Sequence, residues 1–408
     1  MPSTMPSSSP LRIAVIPDSF KGSATAAEAA RAMGEGADRA AEANERSVEL
    51  SILPFADGGE GTLDAICSAW AVEPQQVATT DALGRPAQAR FAVSEVRGKL
   101  TGLIEAAEAN GLPTVSDMPL QPQEATSYGV GTVIAAALDA GCEEILLCIG
   151  GSATTDGGAG ILQALGARLL NTAGQEIGPG GGALQDLARI ETQSLHPRAS
   201  KVRWRIACDV TNPLLGPEGA AAVFGPQKGA SPQDIEALEA ALTTFADILA
   251  AEAGHDVRDE PGMGAAGGIP APLVSLFDAE IVPGGELVAE SLGAHRVLEE
   301  ADLVLTGEGR LDSQSLNGKV VGTVRRLTPE QIPVIALAGA VDLDSSQCAA
   351  AGLTAAFSIA ARPESLDELC AEATSRISST AEQVLRVFLS AQPASHPQKN
   401  TEQRSSAP

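Results

Sequence analysis

The sequence predicts a two-domain α/β protein: a discontinuous domain on a parallel sheet, with a mixed α/β domain inserted into it. Three observations carry that prediction. Short apolar runs alternate with longer alanine-rich segments of helical character, the pattern of strand-helix-strand units. A glycine-rich loop follows the apolar run at 56–62, at 150–160 and again at 306–314. The chain has 408 residues, more than one ordinary core holds at ~150 residues per domain.

The elements follow in order. LRIAVI (11–16) reads as a strand, PDSFKGS as a loop, and the segment after it as a helix opened by the capping box Thr25 and Glu28. VELSILPF (48–55) is a second strand, ADGGEGT a second glycine loop, and LDAICSAW a helix. From about 77 to 105 the pattern changes to alternating stretches, VATTDA and AQARFAV, about the turn Leu83-Gly84-Arg85-Pro86 and then KLTGLIEAA, which predicts antiparallel pairing. A helix near 126–140, the strand EEILLCIG, the strand VRWRIACDV (202–210) and a long helix after SPQD (231–234) make up the middle. ADLVLTGEGR, PVIALAGAV (333–341) and LTAAFSIA (353–360) return to the opening style. The expected division is therefore 11–80 plus 290–390 for the first domain and 81–289 for the insert, with a cleft between them and disordered polar tails at 1–10 and 391–408.

Composition narrows the function classes. With 44% hydrophobic and 19% charged residues the chain reads as globular, and no apolar stretch approaches the ~20 residues that span a bilayer. MPSTMPSSSP has no apolar core of a secretory signal, so a cytoplasmic location is expected. The formal charge of −25 and 3% aromatic content argue against nucleic acid and anionic membrane as partners. The six cysteines form no CxxC pair and the four histidines have no ligand spacing, which predicts reduced, buried thiols and no zinc site. Any anionic substrate must then meet local cations, backbone N–H groups or a metal ion.

The loops after the strands supply those groups, since open α/β sheets bind ligands beyond the carboxyl ends of their strands. The first loop offers Asp18, Ser19 and Lys21; the second offers Asp57, Gly58, Gly59 and Glu60; TGEGRLDSQS offers Glu308, Arg310 and Asp312. The middle of the chain adds Gly150, Gly151, Ser152, Thr154 and Asp156, then Asp209 and Asn212, Lys228, and Gly267 within PGMGAAGG. Any one of these loops alone reads as a turn or helix entry, and Lys21 or Lys228 alone as a solvated lysine. Five such loops with interleaved Asp, Lys and Arg point instead to Mg²⁺ on carboxylate oxygens with cations on phosphate.

Familiar signatures fail. There is no GxxxxGK[ST]; Gly262 to Gly267 matches GxGxxG without a preceding strand; and Gly150-Gly151-Ser152-Ala153-Thr154 lacks the last glycine of a nucleophile elbow.

Taken together, PDSFKGS (17–23), ADGGEGT (56–62), GGSATTDGGAG (150–160), CDVTNPLLG (208–216), FGPQKGA (224–230), PGMGAAGG (261–268) and TGEGRLDSQ (306–314) closely resemble the bacterial glycerate kinase family. The resemblance spans about 11–385. It implies a flavodoxin-like domain with a second α/β domain, and transfer of the γ-phosphoryl of ATP to D-glycerate with Mg²⁺, giving 2-phosphoglycerate. Residue 155 is Thr where the family usually has Asn, Val130 and Thr132 replace common Thr and Glu, Val320-Val321 replaces a usual proline, and Phe55 replaces a common Met. On this resemblance Lys21, Lys228 and Arg310 are expected to neutralise the transferring phosphate and the substrate carboxylate, and Asp57 and Asp209 to hold Mg²⁺ or accept the hydroxyl proton. Ile149 to Gly160 would be an anion cradle, with Ser152 and Thr154 donating and the helix after Asp156 presenting its positive end. The alternatives are 3-phosphoglycerate as product, a kinase for another small hydroxy acid, a nicotinamide-dependent oxidoreductase, and a non-catalytic sensor of a small acid.

Overall fold

In a computed structural model, residues 10–316, 319–363 and 365–391 are described; the expected disordered tails fall almost wholly outside them. The strands are, in chain order, β1 (Leu11–Pro17), β2 (Val48–Ile52), β3 (Gln75–Thr80), β4 (Pro86–Val96), β5 (Lys99–Glu105), β6 (Glu144–Cys148), β7 (Arg168–Leu170), β8 (Arg189–Glu191), β9 (Arg203–Ala207), β10 (Glu280–Val282), β11 (Leu303–Leu311), β12 (Val334–Val341) and β13 (Ala355–Ser358). Eleven of them form two main sheets in two compact units, and β7 and β8 form a separate antiparallel pair.

Of the described residues, the first unit comprises those from 10 to Ile52, Val297–Leu311 and those from Thr328 to 391. Its sheet has the order β13-β12-β11-β1-β2, parallel throughout. Counted within the unit this is 2-1-3-4-5, the flavodoxin-like order, whose switch point lies between β1 and β11. The helices Ala26–Ala43 and Ala373–Ala391 pack on this sheet over a core that includes Met33, Leu305, Leu337, Ile377 and Leu385. The first helix opens with the expected capping box, Thr25 Oγ1 accepting from Glu28 N while the Glu28 carboxylate accepts from Thr25 N.

The second unit comprises Leu53–Arg296 and Asp312–Leu327. Its sheet has the order β10-β9-β6-β5-β4-β3, parallel from β10 to β5 and antiparallel from β5 to β3. β6 has parallel neighbours on both edges, and all five of its residues are buried, which is why EILLC reads as an unbroken apolar run. The antiparallel β3–β4 pair turns through Asp81, whose Oδ1 accepts the N–H groups of Leu83 and Arg85 at 2.9 Å each. Trp204 stacks on Phe277 at 5.5 Å between ring centres in one core, and the helix Pro232–Ala253 covers a second around Leu242 and Phe245.

The boundary lies earlier than the expected residue 80. β3 pairs with β4, and Trp70, in the helix Thr62–Trp70, donates its indole N–H to the Ser291 carbonyl (3.2 Å), so residues 53–80 belong to the second unit. Residues 312–327 also lie in the second unit rather than with the strand they follow. Among the described residues no helix is long and apolar enough to cross a membrane, and all six cysteines are free thiols.

Candidate active site

In the first unit the predicted groups gather at the switch point. β1 ends at Pro17, opposite Gly307 of β11, and the Asp18 N–H continues the ladder to the Gly307 carbonyl (2.8 Å). Asp18 Oδ1 accepts the Ser19 N–H at 2.6 Å, and both residues are half-buried. Phe20 is buried and closes a tight turn with Ala24 by two backbone bonds, which displays Lys21 to solvent. The turn lies against β11: a methyl group on Gly309 would sit 3.3 Å from the Lys21 backbone nitrogen. Glu308 and Arg310 alternate with Gly309 along β11, so both project to one face. Glu308 is buried; Arg310 is exposed and ion-paired to Asp342 (Nη2–Oδ2 2.6 Å). Asp312 lies in the second unit, where its Oδ1 closes a turn by accepting Gln314 N (2.8 Å) and Ser315 N (3.2 Å).

In the second unit the loops after β6 and β9, the Asp57 loop and the start of the helix Gly284–Leu292 converge. Gly58 is buried against Ala207 at the end of β9 and against Gly284, while Gly150 at the end of β6 donates to the Gly58 carbonyl (3.3 Å). A side chain on Gly150 would lie 2.6 Å from the Gly59 Cα, so the two glycine loops meet backbone to backbone. Asp57 Oδ1 accepts the Gly59 N–H (3.2 Å), and Asp209 Oδ1 accepts the Gly284 N–H (2.8 Å). Asp209 stays open to solvent, yet partial desolvation of its carboxyl and the Asp57 charge push its pKa up to about 6, against the lowering pull of the Gly284 N–H and of Arg326. Two carboxylates thus share one neighbourhood. Among the described residues no group of three or more His, Cys, Asp or Glu side chains forms a metal cage. Two carboxylates still suit Mg²⁺, which takes one or two from protein and the rest of its shell from phosphate and water.

Several predicted contacts turn inward. Lys228 is 2% exposed; its ammonium donates to Ser152 Oγ (3.1 Å) and to the Thr154 carbonyl (2.5 Å), and burial pulls its pKa down to about 7 although Asp156 opposes the shift. Thr154 is fully buried, with its hydroxyl accepting from Asn110 Nδ2 (3.1 Å). Asp156 is 1% exposed and accepts from Ser127 N (2.7 Å), Ser127 Oγ (2.8 Å), Gly158 N (3.1 Å) and Gly160 N (3.2 Å). The positive end of the helix Ala159–Ala164 is therefore taken by Asp156 rather than offered outward, which corrects the expected cradle. Gly267 is buried against Thr154 and accepts the Gly157 N–H (2.9 Å), and Asn212 bonds the Glu218 carbonyl (2.8 Å). Of this loop Gly151 remains exposed.

The profile of the glycerate kinase family matches residues 13–389, a span that contains every loop just described. The chain belongs to the glycerate kinase family. The glycerate kinase of Halalkalibacterium halodurans is 42% identical over 373 residues, covering 91% of this chain and 97% of that one. The glycerate 2-kinase of Escherichia coli is 41% identical over 359 residues, covering 88% and 93%. A crystal structure from Salmonella typhimurium LT2, named as a glycerate kinase 2, superposes with a TM-score of 0.81 at 41% identity over 93% of this chain and 99% of that one. As a member of this family the chain is a kinase that transfers a phosphoryl group to a hydroxyl.

Three groups at this kinase's acidic site escaped the sequence reading. Gly284, from Pro283-Gly284-Gly285, packs so closely that a methyl group there would sit 2.2 Å from the Asp57 carbonyl oxygen and 2.7 Å from Asp209 Oδ2. Arg326 acts on the Asp209 charge and is paired with Glu286, two residues beyond Gly284. Glu105 ends β5 as a buried carboxylate. The doublet of glycines was a visible signal for the first; an arginine in VRR and a glutamate ending an apolar run carry none.

Proposed function

We propose that this kinase uses ATP and Mg²⁺ to phosphorylate D-glycerate, giving 2-phosphoglycerate and ADP. The observation that carries the reading is family membership across the loops that hold both sets of charged groups. Asp57 and Asp209 are the assigned ligands of Mg²⁺, which when bound would neutralise charge on the phosphate oxygens. One of the two carboxylates serves as acceptor for the substrate hydroxyl proton, a task suited to a pKa raised toward neutrality, as that of Asp209 is. The exposed Lys21 is the cation we assign to phosphate in the first unit, where it stands at the switch point that this sheet order uses for ligands. Arg326 is the corresponding cation beside the carboxylate pair of the second unit.

Lys228, Thr154 and Asp156 act on the shape of the glycine loop and touch no substrate. Phosphoryl transfer depends on positioning and charge neutralisation more than on covalent help, so a stiff loop is a functional part. The experiment is ADP release coupled to NADH oxidation, with D-glycerate as acceptor. Turnover that requires both D-glycerate and Mg²⁺ is expected. Tight D-glycerate binding with no ADP release would favour a sensor, and turnover with a different hydroxy acid alone would reassign the substrate.

A further inference from the structure

Glu105 is 4% exposed and lies at the carboxyl end of β5, in register with Cys148 of β6. Its two oxygens face two backbone donors where a distant loop enters the helix Thr62–Trp70. Oε1 accepts the Gly61 N–H at 3.1 Å and Oε2 accepts the Leu63 N–H at 2.9 Å. Gly61 caps the helix Thr62–Trp70 with a left-handed backbone and no side chain of its own, so Glu105 supplies the acceptors that a capping residue would otherwise provide. The same loop carries Asp57, Gly58 and Gly59, and the Thr62 hydroxyl ties back to the Gly59 carbonyl at 2.7 Å.

We propose that Glu105 is a positioning residue: its carboxylate bridges the Gly61 and Leu63 N–H groups, holds the Asp57 loop in its working shape, and releases one of the two when it takes up a proton. The inference rests on the reading of that loop as part of the kinase site. A protonated carboxyl has a good acceptor on one oxygen only, so one N–H loses its partner in a buried place.

The surroundings place the switch in an accessible range. Burial raises the Glu105 pKa to about 7, the two N–H groups oppose this, and the charges of Glu108 and Asp64 add to it. Asp64 lies on the capped helix and Glu108 on the helix Ala107–Asn110; Arg90 of β4 is ion-paired to both, at 2.8 Å and 2.7 Å. Across the sheet stands Cys148, whose thiol burial and neighbouring carboxylates keep protonated.

The test is a pH titration of the Gly61 and Leu63 amide signals by NMR on the full chain, with kcat and KM of the wild type and E105Q measured alongside. The expected result is that both amides titrate together with one midpoint near pH 7 in the wild type. E105Q should lose roughly 10 to 100-fold in kcat, the scale of a misplacement of about 1 Å, and should lack the activity change near pH 7, while KM for D-glycerate moves little. Amides that do not titrate between pH 6 and 8, or E105Q with wild-type kcat and pH profile, would overturn it. The wild-type titration needs neither a stable variant nor turnover, so it decides the point even if E105Q fails to fold, or if D-glycerate proves to be the wrong substrate.

Discussion

Gly284→Ala is the most direct perturbation of the carboxylate pair, because it adds one methyl group and removes nothing. The backbone of Gly284 is not in the left-handed region, so alanine brings no dihedral strain and in isolation would favour the helix by up to ~1 kcal/mol. The new methyl, however, would stand 2.2 Å from the Asp57 carbonyl oxygen and 2.7 Å from Asp209 Oδ2, well inside the ~3.5 Å of ordinary contact. One neighbour is backbone and cannot rotate away, so Asp57 or the helix start has to shift. Overpacking of this kind costs ~1–3 kcal/mol, which in a unit of this size lowers Tm by roughly 2–10 °C. Activity should fall further than stability does, since a 1 Å displacement of a positioning group costs about 10²-fold. Gly293→Ala is the control: φ there is +66° and no atom lies within 4 Å of the added methyl, so it should cost ~1 kcal/mol through the backbone alone and leave kcat/KM unchanged. Thermal unfolding and the coupled ADP assay read both quantities. Gly284→Ala with the kcat/KM of Gly293→Ala would refute the assignment of Asp57 and Asp209 to the site.

Lys228→Met should lower stability by ~1–3 kcal/mol at pH 8, since the buried Thr154 carbonyl loses its donor, and chemical denaturation at pH 8 and pH 5 should show a smaller loss at the acid end, where the wild type carries a charged buried ammonium. Glu105 and Lys228 contribute opposed parts to the pH dependence of stability. Glu105, raised from 4.5 to about 7, binds more protons folded than unfolded, so its contribution is present below pH 4.5 and is lost as pH rises to 7. Lys228, lowered from 10.5 to about 7, contributes fully above 10.5 and loses that as pH falls to 7. Tm profiles of E105Q and Lys228→Met should therefore flatten on the acid and the alkaline side of pH 7 respectively; profiles parallel to the wild type would contradict the burial of these two groups. Lys21→Ala should cost at least ~10²-fold in kcat/KM with Tm nearly unchanged, because the side chain is exposed; an unchanged rate would remove it from the site.

Much of the architecture was legible because local rules agreed with the fold. The capping boxes Thr25–Glu28 and Ser231–Asp234 start helices where the sequence places them, and the alternation about Asp81 to Pro86 gives the antiparallel pair. The boundary was not legible: the helix Thr62–Trp70 is apolar and follows a strand of the first sheet, and nothing in its own residues says that it packs in the second unit. The orientation of the glycine loop was hidden for a related reason. A lysine in FGPQKGA and an aspartate in TTDGG read alike whether they face solvent or the interior, and Lys228 and Asp156 find their partners in Thr154 and Ser127, 74 and 29 residues away. Several glycines attributed to an anion cradle instead allow close packing, as when Gly160 lies against Thr126 and Tyr128. Glu105 was missed because its acceptor role is defined by two amides 44 and 42 residues distant.

The central claim is that this member of the glycerate kinase family phosphorylates D-glycerate at its second carbon. Incubation with D-glycerate, ATP and Mg²⁺, followed by ³¹P NMR of the product without chromatography, tests reaction and position together. A phosphomonoester signal coupled to the C2 proton, matching 2-phosphoglycerate, is the predicted result; a signal coupled to the C3 protons, or no new phosphomonoester from a folded sample, would contradict it.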